Sequence, residues 1–309
     1  MSKKALVVAD IHNYLGQELK KNGYEIIGFK FQNEREIVKA LADIEGIITS
    51  NKLIINKMII DAAPKLKWIG RMGSGMEIID VAYAQSKGIE CFSSPEGNAN
   101  AVAEQALGML LSLQHNILKA HLEVKNHQWL REENRGFEIE GKTAGIIGYG
   151  NNGSAFGRKL IALGVKVLAY DKYKTGIQEP GIIICRDLNE IYEQADILSF
   201  HVPLNPKTKH YFDDDFLNKM QRKFVLLNLS RGPVVSLKTL YQGIKEEKIT
   251  AAALDVWEQE PYWNMNSELT EIGDELMGLS NFIGTPHIGG YSHEALYKMS
   301  FYLAQKLFY

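Results

Sequence analysis

Three short runs in this sequence carry side chains able to grip a carboxylate, polarise a carbonyl and deliver a proton. Leu229-Ser230-Arg231-Gly232 follows an apolar run at 224–228. Val256-Trp257-Glu258-Gln259-Glu260-Pro261 follows another at 251–255, and Thr285-Pro286-His287-Ile288-Gly289-Gly290 follows a third at 282–284. Reduction of a 2-oxo acid needs a cation to hold the carboxylate and polarise the carbonyl, and an acid to protonate the oxygen as hydride arrives. Arg231 suits the first task through its planar fork of donors. His287 suits the second, because imidazole exchanges protons near neutrality. Glu260 would stabilise the imidazolium beside it. Taken singly, Glu260 reads as a solvated acid and His287 as a turn histidine. Each placed just past a strand, in an order that brings all three to one sheet edge, they read as a catalytic set.

Hydride chemistry requires a cofactor, and a fourth run supplies its site. The apolar stretch 143–147 enters Gly148-Tyr149-Gly150-Asn151-Asn152-Gly153, followed by a helical pattern at 154–163. A strand, a glycine turn and a helix in that order form a dinucleotide site. Gly148 permits the tight turn, Gly150 the approach of the pyrophosphate and Gly153 the packing of helix on strand. Such a motif is weak alone. Here a second strand at 166–170 ends at Asp171, 18 residues past Gly153, where a carboxylate can accept the adenosine ribose hydroxyls. It would repel a 2′-phosphate, so NAD is expected rather than NADP, with Lys172 and Lys174 softening the preference.

These residues need a scaffold, and the pattern predicts two α/β units. Strand-like runs at 5–9, 25–29, 46–49, 68–71 and 90–92 alternate with helical stretches. The rhythm restarts at 143–147, 166–170, 182–185, 197–200, 224–228, 251–254 and 282–284. Parallel sheets with crossover helices follow. Between the units, 100–126 lacks Pro and reads as one helix of about 40 Å. The run 292–308, with Leu296, Met299, Leu303 and Leu307, predicts an amphipathic helix packed back on the first unit.

Composition bounds the function. Lys and Arg (35) nearly balance Asp and Glu (37), so a net charge of −2 offers no field to gather nucleic acid or anionic membrane, and a small-molecule substrate is expected. Cys91 and Cys185 are too few for a disulfide framework, and no apolar run approaches a membrane span, so a cytoplasmic location is expected. His115, His121, His127, His201, His210 and His293 show no metal-ligand spacing, so no metal is expected. No Gly-x-Ser-x-Gly elbow is present for hydrolase chemistry.

On Gly148 to Gly153, Asp171, His201-Val202-Pro203-Leu204, Asn228 to Gly232, Asp255 to Pro261 and Pro286 to Gly290, the sequence resembles the D-2-hydroxyacid dehydrogenase family over roughly residues 66–300. The resemblance implies a Rossmann cofactor domain (99–288) inserted in a flavodoxin-like substrate domain (1–98 and 289–309), both doubly wound parallel sheets. It implies Arg231, Glu260 and His287 as catalytic residues. Gly148, Gly150, Asn151, Asn152, Gly153, Asp171, His201, Pro203 and Ser230 would hold the cofactor, with Asp255 at the nicotinamide carboxamide. Arg71, Gly73, Ser74 and Gly75 would hold the substrate, the glycine pair forming an anion-binding backbone nest. A homodimer is implied, with Trp129 near the contact. Asn98 matches a recurrent position whose role stays open.

Within that family, Gly70 to Gly75 most resembles phosphoglycerate dehydrogenases, which often carry Arg at the position of Arg71. Many members also place Arg where this chain has His115, and phosphoglycerate enzymes often have Arg near Thr49; Lys52 and His115 are the cations left to compensate. No regulatory domain is expected after Tyr309. The resemblance extends to corepressors that use the fold as a dinucleotide-sensing scaffold, the rival reading to an enzyme.

Overall fold

The computed structural model describes residues 3–28, 40–174, 176 and 179–309. The chain forms two units, Met1–Ala99 with Gly290–Tyr309, and Asn100–Gly289.

The first unit holds strands β1 (Lys3–Val7), β2 (Tyr24–Gly28), β3 (Gly46–Thr49), β4 (Trp68–Arg71) and β5 (Glu90–Ser93), all parallel in the order β2-β1-β3-β4-β5. This is the flavodoxin-like order, reversing direction between β1 and β3. Helices α1 (Asn13–Lys21), α2 (Lys57–Asp61) and α3 (Val81–Ser86) connect the strands. Strands β3 and β4 are buried along their whole length, which is why they read as unbroken apolar runs rather than as alternating ones. The predicted strand at 25–29 ends at Gly28, and Phe29 lies outside the described residues. The closing helix, α11 (His293–Phe308, numbered last in chain order), is capped by Ser292. It buries Leu303 among Ala5, Ile48 and Trp68, with Leu296, Met299 and Leu307 at the margin of the same cluster.

A correction concerns the predicted helix at 100–126. It is two helices, α4 (Pro95–Gln114) and α5 (Ile117–Lys125), broken at Asn116, which sits in the left-handed region at φ 52°. The chain passes from the first unit to the second within α4. Asn tolerates that conformation better than most residues. Returning chain holds the break: Phe137 donates its N–H to the Gln114 carbonyl at 2.8 Å, the carbonyl that a longer helix would have used.

The second unit carries seven parallel strands: β6 (Thr143–Ile147), β7 (Lys166–Tyr170), β8 (Ile182–Ile184), β9 (Ile197–Phe200), β10 (Phe224–Asn228), β11 (Ile249–Leu254) and β12 (Phe282–Gly284). Their order is β12-β11-β10-β9-β6-β7-β8. Direction reverses between β6 and β9, the Rossmann arrangement, which opens a crevice at the carboxyl ends of those strands. Helices α6 (Asn151–Ala162), α7 (Asn189–Gln194), α8 (Asp214–Lys219), α9 (Leu237–Lys245) and α10 (Ser267–Gly278) complete the unit. Its largest core gathers Leu198, Phe200, Phe212, Phe224, Leu240 and Trp257 under the functional loops.

Candidate active site

The crevice between β6 and β9 is shaped by Gly148. Its φ of +91° is open to glycine, and a Cβ there would lie 2.6 Å from the His201 carbonyl oxygen, so no larger residue fits. A Cβ on Gly153 would lie 2.1 Å from the Gly148 carbonyl, which explains the third glycine by packing. Gly150 differs: a Cβ there meets nothing within 4 Å. Gly150 caps α6 and no side chain satisfies the first-turn N–H groups of the helix. Open space above an uncapped helix start fits the pyrophosphate of a dinucleotide.

Asp171, just past β7, already shapes this loop. Its Oδ2 accepts the Tyr149 N–H at 2.8 Å, while Oδ1 accepts those of Tyr173 and Lys174 at 2.9 and 3.1 Å. A carboxylate has lone pairs left for ribose hydroxyls after three such bonds. The Tyr149 hydroxyl donates to Glu179 Oε2 at 2.7 Å, and Arg158 Nη1 lies 3.0 Å from Glu179 Oε1. Burial and that carboxylate push the Tyr149 phenol well above its ordinary range. His201 bonds Ser199 Oγ through Nε2 at 2.9 Å, its Nδ1 is buried without a partner, and burial pushes its pKa down to about 4. Pro203 is exposed, its carbonyl accepting the Thr208 hydroxyl at 2.6 Å.

Ser230 and Arg231 lie in a turn built by the fully buried Asn228. Asn228 Oδ1 accepts from the Ser230 N–H at 3.1 Å and from its hydroxyl at 2.8 Å, while Nδ2 donates to the Arg231 carbonyl at 3.0 Å. The half-buried Arg231 begins a short 3-10 turn (Gly232–Val234), and its Nη1 donates to the Ser230 carbonyl at 2.6 Å. The β10, β11 and β12 ladders align Asn228 with Leu254 and Leu254 with Gly284, so the loops carrying Arg231, Glu260 and His287 leave the sheet at one level.

His287 Nδ1 lies 2.8 Å from Glu260 Oε2, with the two side chains 38% and 39% exposed, so solvent or substrate can reach the pair. The loop under it is organised by Asp255, which is 1% exposed. Asp255 accepts Ile288 N–H at 2.9 Å and Gly289 N–H at 2.8 Å through its two oxygens, and the Thr285 hydroxyl at 2.6 Å. Gln105 Nε2, from α4, donates to Asp255 Oδ1 at 2.9 Å. Four donors thus meet the carboxylate that the resemblance assigns to the nicotinamide. Sequence reasoning misses Gln105, a polar residue in a helical run with no signature of its own, and assigns no role to Asn228, though Asn228 opens one of the runs that carry the family resemblance. A cavity of about 450 Å³ adjoins His287 and Glu260, walled by Trp257, Tyr262, Trp263, Met277 and Pro286. Among the described residues, no group of three His, Cys, Asp or Glu is placed to hold a metal ion.

In the first unit, the turn after β4 is held by Arg71 and Ser94. Arg71 is buried, donating through Nη2 to Asn51 Oδ1 at 2.6 Å and through Nη1 to the Met72 carbonyl. Gly73 donates its N–H to the Ser94 hydroxyl at 3.2 Å, so of the expected nest, Ser74 and Gly75 keep N–H groups that bond nothing among the described residues. Lys52 pairs with Asp10 at 3.0 Å. His115 stands at the break between α4 and α5, against Gly136.

Comparison with known proteins accords with this arrangement. Residues 107–289 match the family described as D-isomer specific 2-hydroxyacid dehydrogenase, NAD binding domain. The D-3-phosphoglycerate dehydrogenase of Methanocaldococcus jannaschii is 34% identical over 294 residues, covering 94% of this chain and 54% of that protein. The hydroxypyruvate reductase of Thermotoga maritima is 33% identical over 273 residues, 88% of this chain and 87% of that protein. The chain spans about half the length of several of the curated relatives it matches. The D-lactate dehydrogenase of Aquifex aeolicus, crystallised with NAD and lactic acid, superposes with a TM-score of 0.83 over 99% of this chain and 94% of that one; at 24% identity that likeness is one of fold. The chain belongs to the D-isomer specific 2-hydroxyacid dehydrogenases, NAD-dependent oxidoreductases of 2-hydroxy acids, and its second unit is their NAD-binding domain.

Proposed function

We propose that this chain interconverts a small 2-oxo acid and its D-2-hydroxy acid, with a phosphoglycerate- or glycerate-type substrate leading. The observation that carries the proposal is the 2.8 Å pair of His287 and Glu260 at the sheet end that also presents Arg231. Bound NADH supplies the hydride. The bond to Glu260 occupies His287 Nδ1 and leaves Nε2 to give a proton to the carbonyl oxygen, or to take one from the alcohol in the reverse direction. The Glu260 carboxylate stabilises the imidazolium, and the Arg231 guanidinium holds the carboxylate and draws charge onto the carbonyl oxygen. In the first unit, the free N–H groups of Ser74 and Gly75 are proposed to hold a carboxylate oxygen.

Purified protein, NADH and five 2-oxo acids test the reading: hydroxypyruvate, glyoxylate, phosphohydroxypyruvate, 2-oxoisocaproate and phenylpyruvate. NADH oxidation with none of them would overturn it in favour of a dinucleotide-sensing scaffold. Arg231→Ala should lower kcat/KM about a hundredfold, roughly 3 kcal/mol, with NADH affinity retained. Activity near wild type would remove Arg231 from the chemistry.

We further propose a cytoplasmic homodimer. No helix among the described residues is long and apolar enough to cross a membrane. Helix α5 buries none of its residues, leaving Ile117, Leu118, Leu122 and Val124 exposed, with Trp129 beyond it 78% exposed. Apolar surface of that extent marks an association face. Light scattering should give twice the chain mass, and Trp129→Glu should lower it.

A further inference from the structure

We propose that Glu258, held between His210 and the start of α9, is a positioning residue that fixes the turn carrying Glu260 against the loop carrying Arg231. The inference rests on the catalytic reading of Arg231, Glu260 and His287 given above.

Glu258 lies two residues before Glu260 and is mostly buried. Its Oε1 accepts the Leu237 N–H at 2.8 Å, at the first residue of α9, and its Oε2 lies 2.9 Å from His210 Nε2. A carboxylate at a helix N-terminus meets both a free donor and the positive end of the helix dipole. His210 stands in the left-handed region at φ 48°, and its N–H donates to the Pro233 carbonyl at 2.6 Å, two residues past Arg231. One side chain of the Glu260 turn therefore reaches the loop after β9 and the helix that follows the Arg231 loop.

A second contact locks the same junction. A Cβ on Gly232 would lie 1.7 Å from the Trp257 carbonyl oxygen and 2.7 Å from the Glu258 nitrogen, so the residue after Arg231 is pressed directly under the Glu260 turn. From Trp257 to Glu260 that turn rests on the stack of Trp257 over Tyr262 at 4.5 Å, on Gly232 below, and on the two bonds of Glu258. Removing those bonds leaves the register between Arg231 and Glu260 to the Gly232 packing, the Asp255 N–H bond to the Asn228 carbonyl at 3.0 Å and the long 3.4 Å bond from the Trp257 N–H to Glu260 Oε1. A misplacement of about 1 Å at reacting groups costs on the order of a hundredfold in rate.

The test compares Glu258→Ala, Glu258→Gln and His210→Ala by steady-state kinetics, NADH titration and crystallography. Glu258→Ala should lose about 10- to 100-fold in kcat, with NADH affinity within about twofold of wild type. Glu258→Gln keeps an oxygen for Leu237, and its amide N–H donates to His210 Nε2 once that neutral imidazole carries its proton on Nδ1, so it should recover to within about threefold of wild type. His210→Ala should fall between the two. In the crystal, the His287–Glu260 bond should persist in wild type and Glu258→Gln and open beyond hydrogen-bond range in Glu258→Ala. A folded Glu258→Ala with wild-type kcat, a Gln variant as damaged as Ala, or an unmoved His287–Glu260 bond in Glu258→Ala would each overturn the proposal. If Glu258→Ala does not fold, His210→Ala, which cuts one of the two anchors, carries the same comparison. If wild-type protein reduces no 2-oxo acid, the catalytic reading fails, while the crystallographic comparison still decides whether Glu258 positions Glu260.

Discussion

His287 stands in the left-handed region at φ 55°, and from there its Nδ1 meets Glu260 Oε2 at 2.8 Å. A non-glycine residue held in that region costs on the order of 1–3 kcal/mol and persists only where its surroundings enforce it. Asp255 does so from both sides. Its carbonyl takes the His287 N–H at 2.8 Å and its carboxylate takes the next two N–H groups, so the strained residue is clamped at the orientation that serves Glu260.

Glu260→Gln therefore removes charge while leaving an acceptor for the imidazole. Reduction should slow by about 10- to 100-fold, with NADH affinity unchanged. Steady-state rates measure it, and a loss of less than about threefold would detach Glu260 from the proton transfer.

Asp171 has a structural duty besides the one read from sequence. Asp171→Ala should lower the ratio of NADH to NADPH efficiency, because a carboxylate that repels the 2′-phosphate is gone. It should also destabilise the unit by about 1–3 kcal/mol, since the N–H groups of Tyr149, Tyr173 and Lys174 lose their acceptor. Kinetics with both cofactors and urea unfolding test the two halves separately. An unchanged cofactor ratio would assign Asp171 to the loop alone.

The strands on which these residues sit were legible because both faces are covered. The runs at 46–49, 68–71, 143–147, 166–170, 197–200 and 224–228 coincide with β3, β4, β6, β7, β9 and β10. Edges were less so: β1 runs Lys3–Val7, not 5–9, since Val8 and Ala9 are buried after the ladder has ended. The break at Asn116 carries no Gly or Pro and depends on chain 20 residues later, at Gly136 and Phe137. Glu258 and His210 are 48 positions apart, and nothing local marks either as the other's partner. The runs that carry Arg231, Glu260 and His287, and Asp255 itself, stand out in the sequence by residue type and place; that Asn228, Asp255 and Gln105 hold those loops became apparent only from the hydrogen bonds.

His201 makes stability depend on pH. Its folded pKa of about 4 lies below the ordinary imidazole value of about 6.5, so between those limits the unfolded chain binds a proton that the folded chain does not. Stability is thus full above about pH 6.5 and falls as the pH drops toward 4, by on the order of 3 kcal/mol. In His201→Gln that part of the acid sensitivity should vanish. Urea unfolding of both proteins at pH 4.5 and 7 checks it, and parallel losses would place the sensitivity elsewhere.

Arg71 bears on the substrate's tail. Read from sequence, it could carry a phosphate. In the structure its guanidinium is buried, bonded to Asn51 Oδ1 and to the Met72 carbonyl, one residue before the Gly73–Gly75 turn. A group so engaged shapes the turn, and under the proposed function that turn would meet the carboxylate that all 2-oxo acids share. Arg71→Ala should then reduce kcat/KM for phosphohydroxypyruvate and for glyoxylate by similar factors, each on the order of tenfold. It should also lower Tm, because Asn51 and the Met72 carbonyl lose their donor. A phosphate contact predicts a different pattern: a large loss with phosphohydroxypyruvate and almost none with glyoxylate. That selective loss would return Arg71 to the substrate and strengthen a phosphorylated tail, whereas equal losses would leave the phosphate without this cation and favour hydroxypyruvate or glyoxylate.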